Sequence, residues 1–594
     1  GDSYKFRASS YYKLTPDLGM AVTGYYTHTG GFFENLATGD KCDWERLGGG
    51  RWKTQWRNRT GLRIDNTLSF SVLEQGGYPY AYVGDDIIGD DGRPVVRRGE
   101  IRYNDPCSYR RTALSDGLTI RYDAGSFTVA SITCYQYSDD EMILDQDFLP
   151  LSYFTLRQAR TEHSVTEDLV FRSRGDKAYR WLLGAFGFYR HGTMNAPVHF
   201  KQTGIEELIL KYANENDQSY RYSWGLKDGT GGDELFLGSD FRMPSAGGAL
   251  YHESNYTLGR WRFTAGLRFD FEHARLRYRN YTDTWYTKTR IKDDAVYELQ
   301  LEIDDRSTLK QTFTELLPKF SVMYSFDETR NLYLTIAKGY KSGGFNTQIF
   351  SDVLQQKMMN RMGIGEVYDV QRGVAYKPEY SWNYEIGGHF SCMEGAVRGD
   401  FALFYIDCRD QQLTVFPPGQ TTGRMMTNAG RTRSLGAEAA VQISPWRTFD
   451  INLAYGYTDA RFVRYETTVK NDDGDPVRIS YKDNRIPYAP QHTLSAGAAW
   501  TVPTGVKWLG DLVFQAGVRC AGRIWWNEEN TLSQPFYALT DASVRFEHAR
   551  YSLSVWGRNL ADAGYDVFYF KSIGNEFVQR GRPRTFGITL NINI

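Results

Sequence analysis

The sequence predicts an all-β protein: a transmembrane antiparallel β-barrel of the 22-stranded type, with short turns at one end and long loops at the other. Three observations carry this. Apolar and polar residues alternate over segments of ten residues and more. Short connections alternate along the chain with long ones. The composition is rich in aromatics and glycine while the mean hydropathy is only −0.52.

Alternation fixes the faces. Successive side chains of a strand point to opposite sides, and in a membrane barrel one side meets lipid and the other the bore. Trp261, Phe263, Ala265, Leu267, Phe269 and Phe271 form one row, and Arg262, Thr264, Gly266, Arg268, Asp270 and Glu272 form the other. The last ten residues repeat the pattern, with Phe586, Ile588, Leu590, Ile592 and Ile594 against Thr585, Gly587, Thr589, Asn591 and Asn593. Val397, Gly399, Phe401, Leu403 and Tyr405 alternate with Arg398, Asp400 and Ala402. A soluble sandwich or propeller also keeps one face wet, but its strands run to about five or six residues. It also has no reason to sort loop length by end.

Ten short connections are legible: Thr15–Asp17, Asn58–Gly61, Asp123–Ser126, Ser173–Lys177, Thr257–Arg260, Phe326–Arg330, Cys392–Gly395, Ser444–Thr448, Val502–Val506 and Glu547–Arg550. The longest of the others are Gly76–Arg111, Arg190–Ser245, Tyr278–Lys310, Ser342–Lys377 and Arg461–Ile486. Ten turns join twenty strands in pairs, and the terminal strand brings the expectation to 21. The first strand, Tyr4–Leu14, runs towards a short turn and so descends from the outer side. Single-chain bacterial barrels have even strand numbers, so one strand is expected ahead of Gly1. An open edge in lipid would leave backbone groups unpaired at several kcal/mol each.

Composition bounds the function. The 594 residues carry a formal net charge of −1, without the basic excess of a nucleic-acid-binding protein. There are 42 Tyr, 34 Phe, 14 Trp and 58 Gly but only 18 Pro, which suits a barrel that is apolar outside and polar inside. Helical membrane proteins show stretches of about 20 apolar residues, whereas Trp181–Phe188 is among the longest here. None of the six cysteines forms a C-x-x-C pair, so zinc and redox readings lack support. Cys42 and Cys107 fall in segments expected outside and are a disulfide candidate in an oxidising compartment. Cys134, Cys392, Cys408 and Cys520 read as unpaired small residues in or beside strands. No G-x-S-x-G, P-loop or H-E-x-x-H motif occurs, so neither an enzyme nor a cofactor or metal site is expected. Of the nine histidines only His191 and His199 share a loop.

Two groups of residues are candidates for function. Arg262, Arg268, Asp270, Glu272, Arg398, Asp400 and Arg545 are expected on the inner face. A barrel this wide is an aqueous hole unless filled, and walls of mixed sign suit a polar polypeptide plug; equally, each charge can simply face water. For the ligand, Tyr78, Tyr80 and Tyr82, the arginines Arg97, Arg98, Arg110 and Arg111, and Trp525 with Trp526 combine aromatic surface with cations that pair anions. The competing reading places those aromatics in a membrane-interface belt. Gln348–Met362 reads as a short helix within a long loop: a lid, a docking site for a surface partner such as a lipoprotein, or loop filler.

Lys338-Gly339-Tyr340-Lys341-Ser342-Gly343-Gly344-Phe345-Asn346 is similar to the strand-to-loop signature of TonB-dependent outer-membrane receptors, in the siderophore and iron-complex branch. Lys377-Pro378-Glu379 follows, then Asn383-Tyr384-Glu385-Ile386-Gly387, Phe404-Tyr405-Ile406-Asp407 with Arg409-Asp410-Gln411-Gln412-Leu413, Asn428-Ala429-Gly430 and Gly436-Ala437-Glu438. Pro318-Lys319-Phe320 with Tyr324, Ala265-Gly266-Leu267-Arg268, and Glu167 with Ser173 and Trp181 resemble earlier positions. Asn559-Leu560, Tyr565 and Gly581-Arg582-Pro583-Arg584-Thr585-Phe586 resemble the closing hairpin. The resemblance implies an N-terminal plug and a TonB box ahead of a 22-stranded barrel; neither is legible here, and residues 1–594 read as strands 2 to 22. The expectation is an outer-membrane barrel for uptake of an iron complex or similarly scarce nutrient. TonB would energise it through a plug supplied by a separate or cleaved polypeptide that also brings the first strand; alternatively, the sequence continues beyond residue 1. The competing function is a non-transporting, receptor-like barrel that serves as a structural subunit of another outer-membrane complex.

Overall fold

The fold is seen in a computed structural model that describes residues 2–89, 91–216, 222–226, 234–363, 373–415, 425–470, 476–506 and 510–594; parts of the long loops named above therefore lie outside the described residues. One antiparallel sheet of 23 strands organises the molecule. Each long strand pairs with the next along the chain, from Ser3–Lys13 with Leu18–Thr29 to Tyr551–Arg558 with Thr585–Ile592. The short strands Val198–Lys201 and Tyr222–Leu226 join its upper part. Among the described residues, Ser3–Lys13 pairs only with Leu18–Thr29, and Thr585–Ile592 only with Tyr551–Arg558.

The register identifies the lipid side. Residues directly opposite in an antiparallel ladder share a face. Phe271 lies opposite Gly248, Leu250 opposite Phe269, Ala265 opposite Phe320, Ile386 opposite Leu403 and Val555 opposite Ile588. This row is apolar and exposed: Leu250 at 64%, Phe269 at 47%, Leu403 at 53% and Ile588 at 72%. A soluble sheet buries such a row. Exposing it on strand after strand costs about 25 cal/mol per Å² in water, so the row belongs in hydrocarbon. The polar row faces inwards.

The short connections are tight. Between the paired Cys392 and Val397, Met393 and Glu394 take left-handed φ angles of 51° and 55° to turn the chain. At the other end the structure departs from the sequence reading. Tyr278–Lys310 is not an irregular loop, because Trp261–Arg290 and Ala295–Ser325 stay in register up to the Arg290–Ala295 pair. Ladder pairing persists there because the hairpin acquires a core: Leu276, Tyr278, Asn280, Thr282, Thr284 and Tyr286, all on one face, are buried. About 10 residues cross a bilayer, so this 30-residue strand stands far above it.

Four buried clusters lie in this upper region. One joins the segment after Val198–Lys201 to Leu354, Met358, Met359 and Met362. A second gathers Tyr82, Tyr103, Phe148, Trp526, Phe570 and Phe577. A third holds Phe241, Leu276, Tyr278, Phe350 and Val353, and a fourth Phe462, Tyr465 and Tyr481. Together they form a canopy over the outer end of the barrel.

Candidate functional site

The inner wall is polar and held in pairs. Arg268 Nε and Nη2 donate to the two carboxylate oxygens of Asp270 at 2.7 and 2.8 Å. The same guanidinium lies over the rings of Phe186 and Tyr251, and Tyr251 Oη donates to Asp168 at 2.7 Å. Lys338 Nζ meets Glu315 at 2.7 Å. Around the bore, Tyr333 Oη donates to Glu385 at 2.8 Å, His389 contacts Asp400, and Arg519 donates to Asp541 at 2.9 Å. Glu385, His389, Asp400, Glu438 and Arg519 line a recess of about 600 Å³.

Of the seven inner-wall candidates, Arg268, Asp270 and Asp400 sit in these pairs. Arg545 pairs with Glu547 at 3.2 Å, and Arg398 Nε donates to the Gly395 carbonyl at 3.2 Å, low in the barrel. Arg262 is on the same row, opposite Met323, with its Nε lacking a hydrogen-bond partner. Glu272 lies in this row opposite Phe313. The sequence reading passed over Glu385, Glu438 and Arg519. They stand on the inner row of three strands that are not adjacent in the sheet, and only the register brings them together.

The nine ligand candidates do not converge. Tyr80 stacks on Tyr78 at 5.6 Å and meets Phe148 and Phe570 edge-on at 5.1 and 4.6 Å. Tyr82 is buried against Phe577 and donates to the Asp85 carbonyl at 2.7 Å. Burial pushes the Tyr78 hydroxyl far above its usual range. These tyrosines are canopy core, because close-packed aromatic burial outweighs any gain from offering them to solvent. Trp526 is buried against Tyr488 at 5.3 Å, and Trp525 lies under the Arg523 guanidinium. Arg110 and Arg111 are adjacent on the strand Ser108–Asp123, so they face opposite sides and cannot grip one anion together. Arg97 and Arg98 are exposed, with their backbone N–H groups bonded to Glu100 and Asp86.

The expected Cys42–Cys107 disulfide is likewise corrected. Both thiols are free and buried in one cluster. Cys42 Sγ donates to the Phe33 carbonyl at 3.5 Å, and Cys107 Sγ accepts the Asp145 N–H at 3.2 Å. Burial pushes each thiol up to about 12. Beside them the structure places a feature missed in the sequence: Asp145 and Asp147, both 0% exposed. Burial pushes both carboxyls up, with repulsion from Asp105 adding to the rise of Asp145 and repulsion from Asp145 to that of Asp147, while Asp105, Leu149 and Tyr153 donate backbone N–H groups to the pair. The spacing Asp145-Gln146-Asp147 was legible; its burial depends on loops distant in sequence.

The helix within Gln348–Met362 forms over Phe350–Met362 and ends at Gly363, whose φ of 84° caps it. It lies on the inner side of the tall hairpin, where Asn280 Nδ2 donates to the Phe350 carbonyl at 3.1 Å and Lys357 meets Asp305 at 2.5 Å.

An outward apolar row, an inward row of paired charges and a canopy above the bore define a large outer-membrane barrel protein. The chain belongs to the TonB dependent receptor-like, beta-barrel family, which it matches over residues 2–560. It is 26% identical over 287 residues to the pesticin receptor of Yersinia enterocolitica, a stretch covering 48% of this chain and 37% of that protein. It is 25% identical over 292 residues to the ferrioxamine receptor of Yersinia enterocolitica, covering 48% and 34%. The matched stretch therefore spans little more than a third of these relatives' length. In fold, the chain resembles the ferric yersiniabactin uptake receptor FyuA from Yersinia pestis, with a TM-score of 0.72 and 19% identity over 100% of this chain and 78% of that one. It also resembles the siderophore receptor PiuA from Acinetobacter baumannii, with a TM-score of 0.68 and 12% identity over 99% and 79%.

Proposed function

We propose that the chain is the barrel of an outer-membrane uptake receptor for a siderophore-like iron complex or a similarly scarce nutrient, energised by TonB through a plug seated in the bore. The observation that carries this is the inner wall. Charges of both signs, arranged in pairs and around a polar recess, offer hydrogen-bonding partners to a folded polypeptide inside a barrel too wide to stay empty. The name of one relative, the ferrioxamine receptor, supplies the ligand class. Arg97 and Arg98 are the loop cations that this reading offers to an anionic chelate.

The plug is a segment outside the strands described above, either continuous with this chain or a separate or cleaved polypeptide. The test is uptake of radiolabelled ferric siderophores by cells with and without the gene, in TonB-positive and TonB-negative backgrounds, together with N-terminal sequencing of every band of the purified native protein. Uptake that requires both the gene and TonB supports the reading. A receptor-like barrel with a permanently lodged partner lacking a TonB box, and no uptake, would identify a structural subunit instead. The sequenced bands separate the two sources of the plug.

A further inference from the structure

The lipid-facing wall is not uniform. From exposed Phe271 the ladder steps directly across to Gly248, Gly187, Glu167, Thr133, Leu118 and Asn66, so all of these share the outward face. Asp116 joins them through its partner Leu68, which is 40% exposed. Two carboxylates therefore sit on the wall that meets lipid. Asp116 lies seven residues from the Asp123 end of its strand, and Glu167 six from Ser173. At about 3.3 Å per residue and a tilt near 40°, that is roughly 15–18 Å above the short turns, inside an apolar band about 25 Å tall. At comparable depth the strands from Trp261–Arg290 onwards present Phe269, Phe320, Leu403 and Tyr455, all exposed.

The carboxylates lie within a wider polar sector. Asn66 Nδ2 donates to Asp116 at 2.8 Å, and Ser131 and Thr133 hydroxyls donate to the two oxygens of Glu167 at 2.6 and 2.5 Å. On the other side of Glu167, Gly187 and Gly248 leave the row without side chains, a notch where another backbone can approach closely. Ionisable groups at this depth are costly in lipid and mark contacts with protein rather than with acyl chains. Acyl chains have no donor to give a carboxylate.

We propose that this sector, centred on Asp116 and Glu167, is an intramembrane docking surface for a second, different membrane-embedded polypeptide that presents lysine or arginine to the two carboxylates. Charge complementarity selects that occupant: the row Asn66–Leu118–Thr133–Glu167–Gly187–Gly248 contains an anion and no cation. A second copy meeting it across a two-fold axis would set acid against acid. The inference requires only that this wall face the membrane, not that the protein transport iron, so it survives failure of the uptake assay.

The test is photo-cross-linking in native outer membranes of the full protein, with p-benzoylphenylalanine in place of Leu118 in the sector or of Phe320 on the apolar wall beyond Phe271. The expected result is a discrete protein adduct from position 118, none from 320, and at least a tenfold loss of that adduct when Asp116→Asn and Glu167→Gln are introduced. Unchanged heat-modifiability on gels confirms that the variant barrel is folded. Adducts with lipid alone at both positions, an adduct with a second copy, or a yield indifferent to the two substitutions would each overturn the proposal.

Discussion

The canopy helix provides the most direct quantitative check. Phe350–Met362 has 13 residues, and an isolated helix of that length is marginal in water. Its order must come from packing, and Phe350, Val353, Leu354, Met358, Met359 and Met362 are all buried. Leu354 is 0% exposed within the cluster that includes Phe154, Phe200 and Ile205. Leu354→Ala removes a fully enclosed side chain and should cost about 3 kcal/mol, within the 2–5 kcal/mol range for such truncations. Because the helix is a loop element and not a barrel stave, that loss should fall on local opening. At about 1.4 kcal/mol per factor of ten, the open population should rise about a hundredfold. Hydrogen exchange in detergent should show faster exchange for the amides of 353–362, with the membrane strands, such as Trp261–Glu272, unaffected. Unchanged protection of the helix would refute the argument that packing holds it, and simultaneous loss of protection in the strands would refute its independence from the barrel.

Four further outcomes are expected. Burial raises the Asp145 and Asp147 carboxyls above their ordinary range, Asp147 further than Asp145, so the folded canopy binds more protons than the unfolded chain. Stability should therefore fall as pH rises above the ordinary carboxyl range, and Asp147→Asn should flatten that slope in pH-resolved proteolysis. Phe269→Arg places a cation on the lipid row and should destabilise the barrel by about 2–4 kcal/mol, read as a lower urea midpoint for folding into vesicles, whereas Thr264→Arg on the inner row should cost less than 1 kcal/mol. Breaking the inner pair with Asp270→Asn should leave heat-modifiability unchanged but reduce ligand uptake, because it disturbs the wall and not the ladder; unaltered uptake would separate Asp270 from function. Cys392 is exposed at a short turn while Cys42 and Cys107 are buried, so maleimide should label Cys392 quickly and the other two only after denaturation.

The barrel was legible because its signal is periodic and local. Trp261–Glu272 and Thr585–Ile594 announce both faces without knowledge of their neighbours, and the short turns locate the strand ends. Loop architecture was not legible in the same way. Tyr278–Lys310 read as a loop because its buried row itself contains Asn280, Thr282 and Thr284 while the facing row mixes Arg279 and Asp283 with Tyr281 and Trp285, and that row is buried only once the Phe350–Met362 helix covers it. The packing of the tyrosines among the ligand candidates was hidden for a related reason. Tyr78, Tyr80 and Tyr82 carry the same residue type whether they face a ligand or Phe148, Phe570 and Phe577, and the 490 or so residues between Tyr80 and Phe570 hide the packing that decides between them. Arg110 and Arg111 needed only the period of two to be separated.

A consequence follows for interpreting any mutant of this protein. In a soluble domain the core and the site compete for the same interior, whereas here the buried hydrophobic residues fall mainly in the canopy clusters, and the membrane wall is held by ladder hydrogen bonds that do not depend on side chains. Inner-row residues such as Arg262, Glu385 and Arg519 therefore have little stability to lose, and a change there that alters uptake reports on the bore. Canopy residues such as Leu354 and Phe577 are the reverse: their loss first loosens the loops, and an effect on binding would be secondary to that. Asp116 and Glu167 belong to neither class. They reduce the fit of the wall to lipid and support no core, so in vesicles of lipid alone Asp116→Asn with Glu167→Gln should stabilise the barrel. If it instead destabilises the barrel there, the hydrogen bonds from Asn66, Ser131 and Thr133 are sufficient in themselves, and the need for a partner disappears.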